Sequence, residues 1–348
     1  MAQDHLCHAL QRKPMGIRTK CEILNSLWGL NVQPTEFYDK YLEFDAYFAY
    51  YAEECDVALH DGGRHILART HRDIVEIAQH LKNSSTRSEI KQFLRNALPS
   101  PIPTNADELL DGSIDLAARL LLMLGFGRLR YGFSGKQELV WSENSLGEFV
   151  SGYFATPPAL RQERVKLERV FNARNLGRIA GIKIEWTKNL ADHLLLVEDD
   201  MTVSIFHYAS FLECQKNSQI FPDGFVEETL RTLALLFPQT DRDTRNWFRK
   251  QSSIRNIDSK AMKCGRLRMQ DRRIESFYYW HDRLVDLKQF FDEAEPSTIS
   301  QWWFDRRKRV QWYTFWVAAL VLALTVIFGL VQCVEGGLQA YKAYHPSH

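Results

Sequence analysis

The sequence predicts a mainly α-helical body with short antiparallel β-hairpins, an α+β class, followed by one C-terminal transmembrane helix. Three observations predict this class. Several segments place apolar residues at helical spacing, and two stretches alternate apolar and polar residues around short turns. Residues 310–334 contain no Asp, Glu, Lys, Arg or His. The chain therefore combines a folded body with a membrane segment.

The length and the charge balance of the chain limit the classes of function that it can have. The 348 residues are enough for two or three domains and a sizeable core. With 44 Lys and Arg against 43 Asp and Glu, the chain lacks the basic excess of a general nucleic-acid binder and the acidity of a disordered tail. Partners must therefore be argued from local features.

The cysteines and the N-terminus indicate a cytosolic compartment. Six cysteines are scattered without any Cys-x-x-Cys pair, which favours reduced thiols over a disulfide framework. The first twenty residues mix charges into every short apolar run, so no secretory signal is expected.

The N-terminal region, residues 1–65, contains an aromatic-rich segment. Residues 35–54 are predicted to form one helix, and an aromatic stripe that packs in a core or interface is favoured over a phosphotyrosine site. The stripe consists of Phe37, Tyr41, Phe44 and Phe48.

The second region, residues 66–155, is predicted to be helical with one β-hairpin. Two helices flank the KNSS break, where Ser84, Ser85 or Thr86 can cap the second. The proline-rich connector 99–105 leads to an apolar helix, a hairpin around SGKQ and a further helix.

The third region, residues 156–240, repeats this pattern. A helix ending near Gly181 precedes the strand IKIEWT and a second hairpin. Trp141 and Trp186 each end a strand shortly before a Ser or Thr that can cap a helix. Duplicated winged-helix-like modules are one interpretation, and chance similarity within an ordinary mixed domain is the other.

The last part of the body divides at a proline. Residues 241–296 comprise a basic polar stretch, interpreted as a linker or exposed helices, and an amphipathic helix that ends before Pro296. The apolar face of that helix is predicted to contain Ile274, Phe277, Tyr278, Leu284, Leu287 and Phe291. Residues 297–309 are predicted to form a juxtamembrane helix that continues into the membrane.

Residues 310–334 are predicted to cross the bilayer once, leaving a short tail, 335–348. At about 1.5 Å per residue, 25 residues span roughly 37 Å, which exceeds the ~30 Å hydrocarbon core. A buried core helix is the alternative. Basic residues cluster before the span and only Lys342 follows it, which predicts a cytosolic N-terminal body. Tail-anchored insertion follows, with the endoplasmic reticulum or another internal membrane favoured over the plasma membrane.

The residues before the span are predicted to contact the membrane interface. Tryptophan and tyrosine rings favour the headgroup layer, and arginine and lysine favour anionic headgroups. The predicted interface residues are Trp302, Trp303, Arg306, Arg307, Lys308, Arg309, Trp312, Tyr313 and Trp316.

No catalytic motif is recognisable. The chain contains no phosphate-binding glycine loop, no G-x-S-x-G and no H-E-x-x-H, and His71-Arg72-Asp73 lacks the other elements of a kinase loop. Weak metal-ligand candidates are Cys55, His60, His65 and His71, although their spacing is not that of familiar zinc sites. No catalytic residue, metal or cofactor is therefore expected.

The basic stretch from Arg242 to Arg273 is interpreted as a solvated face rather than a nucleic-acid surface. Asp243, Asp258 and Asp271 interrupt its positive charge. The expected partners are the lipid bilayer and proteins on the cytosolic side, whereas nucleic acid is disfavoured.

Several long tracts resemble a known group of proteins. QWWFDRRKRVQWYTFWVAALVLALTVIFGLVQC, FYYWHDRLVDLKQFFDEAEP, TLALLFPQTD and IEWTKNLADHLLL are similar to tracts in a large group of uncharacterised single-pass membrane proteins of filamentous fungi. The similarity covers the chain from about Ser113 onward. It implies a shared architecture and no catalytic residues.

Three functional hypotheses follow. The favoured one is a tail-anchored membrane protein with a cytosolic binding or adaptor body. The second is a membrane-tethered enzyme whose site is assembled from dispersed residues. The third is a membrane-tethered transcription regulator, which requires winged-helix modules with a basic recognition helix, and the segment NLADHL has too little positive charge for that role.

Overall fold

The computed structural model describes residues 4–11, 14–127, 139–155, 157, 159, 165–197, 201–295 and 309–344. The chain is mostly helical, with a small three-stranded sheet and one long apolar helix at the C-terminus. One cluster of buried apolar side chains extends from Leu10 to Phe291. The helical class predicted from the sequence is confirmed at this level.

Six helices form the N-terminal half of the body. They are α1 (Ile17–Trp28), α2 (Phe37–Lys40), α3 (Asp45–Leu59), α4 (His71–Lys82), α5 (Arg87–Arg95) and α6 (Ala106–Leu122). Helices α3, α4 and α5 all pack against α6, most of whose side chains are buried. Helix α6 is therefore the centre of this half.

The two helices around the KNSS break begin where their caps allow. Thr70 caps α4 and Thr86 caps α5, and each hydroxyl accepts the backbone N–H three residues later. The carboxylates of Asp73 and Glu89 in turn accept the backbone N–H groups of Thr70 and Thr86, which completes two capping boxes. Of the three candidate caps in the sequence, Thr86 is the one used.

The predicted single helix over residues 35–54 is wrong. Helix α2 ends at Lys40, a 3-10 turn covers Leu42–Phe44, and α3 begins at Asp45. The break has a packing consequence, because the rings of Phe37 and Phe48 lie 6.3 Å apart although eleven residues of straight helix would separate them by roughly 16 Å. The chain folds back so that both rings enter one core.

The tyrosines of α3 satisfy the C-terminal end of α6. The last carbonyl groups of a helix have no partner within it. The hydroxyl of Tyr47 donates to the carbonyl of Leu120 at 2.8 Å and that of Tyr50 to the carbonyl of Arg119 at 3.1 Å. The Gln215 amide donates to the carbonyl of Leu121 at 2.7 Å. Aromatic density in α3 thus provides both core volume and polar partners.

The sheet comprises β1 (Lys183–Thr187), β2 (Leu196–Val197) and β3 (Thr202–Phe206). Strand β3 lies in the centre, antiparallel to β2 and parallel to β1, with Trp186 opposite Ile205. The predicted strand and second hairpin are confirmed. The first hairpin falls mainly on residues 128–138, outside the described part of the chain, and the winged-helix-like interpretation is not confirmed.

Six further helices belong to the body. They are α7 (Leu146–Phe154), α8 (Ala173–Ala180), α9 (Ala209–Gln215), α10 (Phe225–Leu236), α11 (Arg242–Ile254) and α12 (His281–Glu293). Ser145 caps α7 as the sequence suggested, but Asn189 rather than Thr187 caps the short turn after β1. Helix α13 (Arg309–Tyr344) follows the body.

Helix α10 is buried along nearly its whole length and uses every polar side chain that it buries. Glu228 accepts the backbone N–H groups of Tyr278 and Trp280, each at 2.8 Å. The Trp280 indole N–H donates to the Thr229 hydroxyl at 2.9 Å, and Thr232 contacts the imidazole of His193 at 2.7 Å. Hydrogen bonding makes the burial of these groups tolerable.

Residues 241–296 differ in part from expectation. Of the two alternatives for the stretch after Asp241, the exposed helix applies to α11, which buries only Thr244 and Phe248, whereas Ile257 and Ala261 beyond it enter the core. The amphipathic helix begins only at His281, after a bend at residues 278–280 in which the N–H groups of Tyr278 and Trp280 donate to Glu228. Tyr278, assigned to the apolar face, is 47% exposed.

Three buried histidines are neutral parts of the fold. His193 accepts the N–H of Phe206 through Nδ1, and its Nε2 faces the Thr232 hydroxyl, whose proton goes to the carbonyl of Thr229. His207 Nδ1 likewise accepts the N–H of Asp258 at 3.1 Å. Burial lowers the pKa of each to about 3, and burial together with His8 lowers the pKa of His71 to about 4.

Acidification is expected to destabilise the body. Unfolded histidines bind protons below about pH 6.5, whereas the folded ones resist protonation, so their stabilisation is complete above pH 6.5 and is lost as the pH falls. Asp258, whose pKa burial raises to about 6, opposes part of this change because folding favours its neutral form. From pH 7 to pH 5 the net loss should be on the order of 4 kcal/mol.

The measurement is the urea midpoint of the full chain in detergent micelles at both pH values. The control is His65→Gln, because His65 lies at the surface, and this variant should keep the acid sensitivity. Equal midpoints at pH 7 and pH 5 would contradict the neutral-histidine interpretation.

Candidate functional site

The C-terminal helix α13 is the feature that the sequence predicted most directly. It contains a segment, Trp312–Tyr341, that is long and apolar enough to cross a membrane; its most apolar 18-residue window has a mean hydropathy of 2.6, and none of that window is buried. The helix continues beyond the predicted end of the span at Val334 through Glu335 to Tyr344. Its 36 residues measure roughly 54 Å, so it extends past a ~30 Å hydrocarbon core.

Only part of the predicted membrane interface lies within the described residues. Arg309 begins α13, and the rings of Trp312, Tyr313 and Trp316 cluster on its first turns, with 5.1 Å between Trp312 and Tyr313 and 6.2 Å between Trp312 and Trp316. Tyr313 is 62% exposed. The other predicted interface residues, Trp302, Trp303, Arg306, Arg307 and Lys308, lie outside the described part of the chain.

The four metal-ligand candidates have separate environments. Cys55 is buried within α3, and His60 follows the end of that helix. His65 contacts Glu108 at 2.6 Å, while His71 is buried with its Nδ1 3.1 Å from the Tyr51 hydroxyl. Among the residues that the structure describes, no three His, Cys, Asp or Glu side chains form a group suited to a metal ion.

His71 lines a cavity of about 330 Å³ beside the start of α1. His5, His8 and Arg18 also line it, and His8 Nδ1 lies 3.3 Å from the Thr19 hydroxyl. Because the Tyr51 hydroxyl occupies His71 Nδ1, only Nε2 remains for a cavity ligand. The cavity has half the volume of a second cleft in the body.

A larger cleft, about 660 Å³, lies between α8, the end of α10, the start of α11 and the segment 265–272. We call it the arginine cleft, because four arginines line it: Arg169, Arg178, Arg266 and Arg272. Asp241 and Asp243 are its only acidic lining residues in the described part of the chain, so the formal charge of the lining is +2. Val170, Ala234, Pro238 and Leu267 provide an apolar wall.

Local backbone structure positions the first two arginines. Asn172 caps α8 by accepting the N–H of Asn175 and donates to the carbonyl of Arg169 at 3.2 Å. One turn further along α8, Arg178 donates to the amide oxygen of Asn175 at 2.9 Å. Gly181, with a φ of 73°, ends the helix and turns the chain into β1.

The segment that carries Arg272 is held against residues 165–167. The N–H of Leu167 donates to the carbonyl of Arg272 at 2.8 Å, and the N–H of Ile274 donates to the carbonyl of Val165 at 3.0 Å. The Arg272 guanidinium itself donates to the carbonyls of Leu167 and Glu168 at 3.3 and 3.2 Å. These contacts fix the guanidinium at the cleft wall.

Both aspartates of the cleft already have partners. Asp241 caps α11 by accepting the N–H of Asp243 and the hydroxyl proton of Thr244. Asp243 pairs with Arg174 at 3.5 Å and with Arg178 at 3.4 Å. Neither carboxylate contacts Arg169, Arg266 or Arg272. The two carboxylates are therefore engaged by residues of α8 and α11 and not by these three arginines.

The arginines also disfavour one another's charge. Burial, and then the neighbouring Arg169, lower the pKa of Arg272. Burial, and then Arg174, lower the pKa of Arg178 against the opposing effect of Asp243. Guanidinium groups crowded in a concave surface present parallel N–H donors to an oxyanion.

The sequence pattern indicated only two of the four arginines that line this cleft. The basic stretch from Arg242 to Arg273 includes Arg266 and Arg272, but Arg169 and Arg178 come from a segment about a hundred residues earlier. No spacing rule connects the two segments, because their contact depends on how α8 and residues 165–167 pack against the end of the body.

Comparisons of the chain with protein-family models, with curated protein sequences and with solved structures found no match.

Replacing the cap of α11 should destabilise the cleft wall. Asp241→Ala removes the acceptor for the Asp243 N–H and is expected to lower the free energy of unfolding by about 1 kcal/mol, whereas Asp241→Asn keeps an acceptor and should cost little. Urea titration of both variants tests this difference. Equal midpoints for the two variants would show that the cap contributes nothing.

Proposed function

We propose that this protein is a tail-anchored, single-pass membrane protein whose helical body lies in the cytosol and acts by binding rather than by catalysis. The observation that carries the anchor is α13: an apolar helix with its most apolar window fully exposed, attached to a body that has a complete core of its own.

An exposed helix of this composition requires an apolar environment. Contiguous apolar surface beyond a few hundred Å² is unusual on soluble monomers, and each CH₂ group that leaves water contributes about 0.8 kcal/mol. A bilayer covers such a helix on every side. The hydrocarbon core offers no hydrogen-bonding partners, but a helix satisfies its backbone groups internally. Exposure all around the helix therefore favours lipid over a single protein groove.

Charge supports the orientation. The basic cluster before the span and the single Lys342 after it favour a cytosolic body under the positive-inside rule. Free cysteines throughout the body fit a reducing compartment. The likeness of the C-terminal tracts to fungal single-pass proteins supports the same architecture, and an internal membrane such as the endoplasmic reticulum is the proposed location.

A binding role is favoured because the perturbed groups of the core serve the fold. His193, His207 and Asp258 have strongly shifted pKa values, but their polar atoms are engaged in hydrogen bonds that join β3, α9 and the segment after α11. Shifted groups can mark catalytic sites, but structural networks shift them equally. The arginine cleft offers binding contacts, and its two lining carboxylates, Asp241 and Asp243, are already engaged by a helix cap and by ion pairs.

Charges in the middle of the span should release the protein from membranes. Leu322→Arg with Val326→Arg places two arginines near the centre of the apolar run, each costing about 2.5–3.5 kcal/mol on insertion scales. The protein should move from the carbonate-resistant pellet to the supernatant. The control places the same two arginines at Gln339 and Ala340, beyond the apolar run, and should stay in the pellet. Retention of the mid-span variant would argue against a bilayer-spanning helix.

Protease protection tests the orientation. With epitope tags at both ends, protease added to sealed membranes should digest the N-terminal tag and leave the C-terminal tag intact until detergent is added. Protection of the N-terminal tag would reverse the proposed topology while leaving the anchor itself in place.

A further inference from the structure

Arg272 is a buried cation to which the described residues supply no anionic partner. It is 8% exposed, and its guanidinium contacts only two backbone carbonyls among the described residues. Arg87 provides the comparison within the same chain. It is 7% exposed, and two carboxylates, Asp111 and Asp115, contact it at 2.8 and 2.7 Å. A buried charge without a counter-charge is costly, so the Arg87 arrangement is the expected one and Arg272 departs from it.

Arg272 lies beside the other arginines of the arginine cleft. Arg169 and Arg266 line the same cleft, and in the described part of the chain neither forms an ion pair. Folding has therefore brought three guanidinium groups to one concave surface without supplying carboxylates for them. An anion entering the cleft would relieve this repulsion and satisfy the remaining N–H donors.

We propose that the arginine cleft binds a phosphorylated small molecule, with Arg169, Arg266 and Arg272 contacting the phosphate oxygens. The +2 formal charge of the lining matches a phosphate monoester or diphosphate, since a monoester carries about −1.5 to −2 at pH 7. The planar guanidinium fork suits bidentate contact with phosphate, and Arg178 on α8 closes one side.

The size and lining of the cleft indicate a ligand larger than inorganic phosphate. Its volume of about 660 Å³ lies within the range of small-molecule sites, about 300–1,000 Å³. The side chains of Gln239 and Thr240 line it without a hydrogen bond to described residues, so they can contact hydroxyl groups. The apolar wall formed by Val170, Pro238 and Leu267 can cover the organic part of the ligand.

A phosphate group that fits the cleft can come from two kinds of molecule. A free phosphate ester in the cytosol and the phosphorylated headgroup of a lipid present equivalent oxygens to the cleft. The inference deepens the binding role proposed above, but it does not depend on the membrane anchor, because the residues that form the cleft all belong to the body.

The test uses the full chain in nanodiscs of phosphatidylcholine. Soluble inositol trisphosphate and pyrophosphate are titrated in one arm, and nanodiscs that contain a phosphoinositide replace the neutral ones in the other. The observables are the calorimetric Kd for the soluble probes and the increase in Tm for both arms.

The decisive variant is Arg169→Gln with Arg272→Gln. Each lost charge-assisted contact should weaken phosphate binding about tenfold or more. The matched control is Arg249→Gln with Arg255→Gln, which removes the same charge from exposed positions of α11 and its C-terminal end outside the cleft, and it should keep the wild-type affinity. Far-UV circular dichroism and urea midpoints establish that both double variants are folded.

The variant Arg266→Gln tests the cleft in case replacement of the buried Arg272 impairs folding. Arg266 is exposed, so its replacement should weaken binding without changing the urea midpoint. Arginine-dependent binding of the soluble probes indicates a free phosphate ester, whereas arginine-dependent stabilisation by phosphoinositide alone indicates a lipid headgroup.

Two outcomes overturn the proposal. One is the absence of arginine-dependent binding in both arms, and the other is an equal loss in the control pair, which would mean attraction by general surface charge. Release from membranes in carbonate would refute the anchor but leave this binding result intact, so the two proposals fail separately.

Discussion

The Glu228 carboxylate, buried on α10, accepts the backbone N–H groups of Tyr278 and Trp280, each at 2.8 Å. Burial raises its pKa and these hydrogen bonds oppose that shift, so the contact is worth most when the carboxylate is charged. These contacts tie the bend at residues 278–280 to α10, directly before α12 begins at His281. Helix α12 then packs on α8, and α8 carries Arg178 into the arginine cleft. A single buried acceptor thereby relates the most buried helix of the body to the wall of its candidate binding site.

Several buried polar groups of the body have complete sets of partners, and the arginine cleft differs from them. The carbonyls at the end of α6 receive tyrosine hydroxyls and a glutamine amide, and His193 is neutral with hydrogen bonds at both ring nitrogens. Arg87 has two carboxylates. Arg272 has backbone carbonyls only, beside another arginine that lowers its pKa. Departures from local satisfaction concentrate where a protein binds something else. Among the described residues, the cleft presents an unmet electrostatic requirement and α13 presents an exposed apolar surface.

The two features belong to different levels of organisation. The apolar span is a property of composition, because its length and hydropathy alone make the helix able to cross a bilayer. The cleft is a property of tertiary packing, because its arginines are separated by about a hundred residues of chain. A cytosolic body with a phosphate-binding cleft, held at a membrane, would encounter soluble phosphate esters and lipid headgroups alike. The basic and aromatic residues before the span would bring that body close to the headgroup layer.

By itself, the sequence determined the apolar span, the mostly helical class and the second hairpin, and it limited the cap of α5 to three residues, because each depends on composition or on residues a few positions apart. Only the tertiary structure decided the break at Tyr41, the delayed start of α12 at His281 and the parallel pairing of β1 with β3. Each follows from contacts between distant segments: Phe37 with Phe48, Glu228 with Trp280, and Trp186 beside Ile205. The arginine cleft belongs to the second group. Helical spacing reports which face of a helix is apolar, but it does not report which other segment that face will meet, and an unpaired arginine is recognisable only once its neighbours are known.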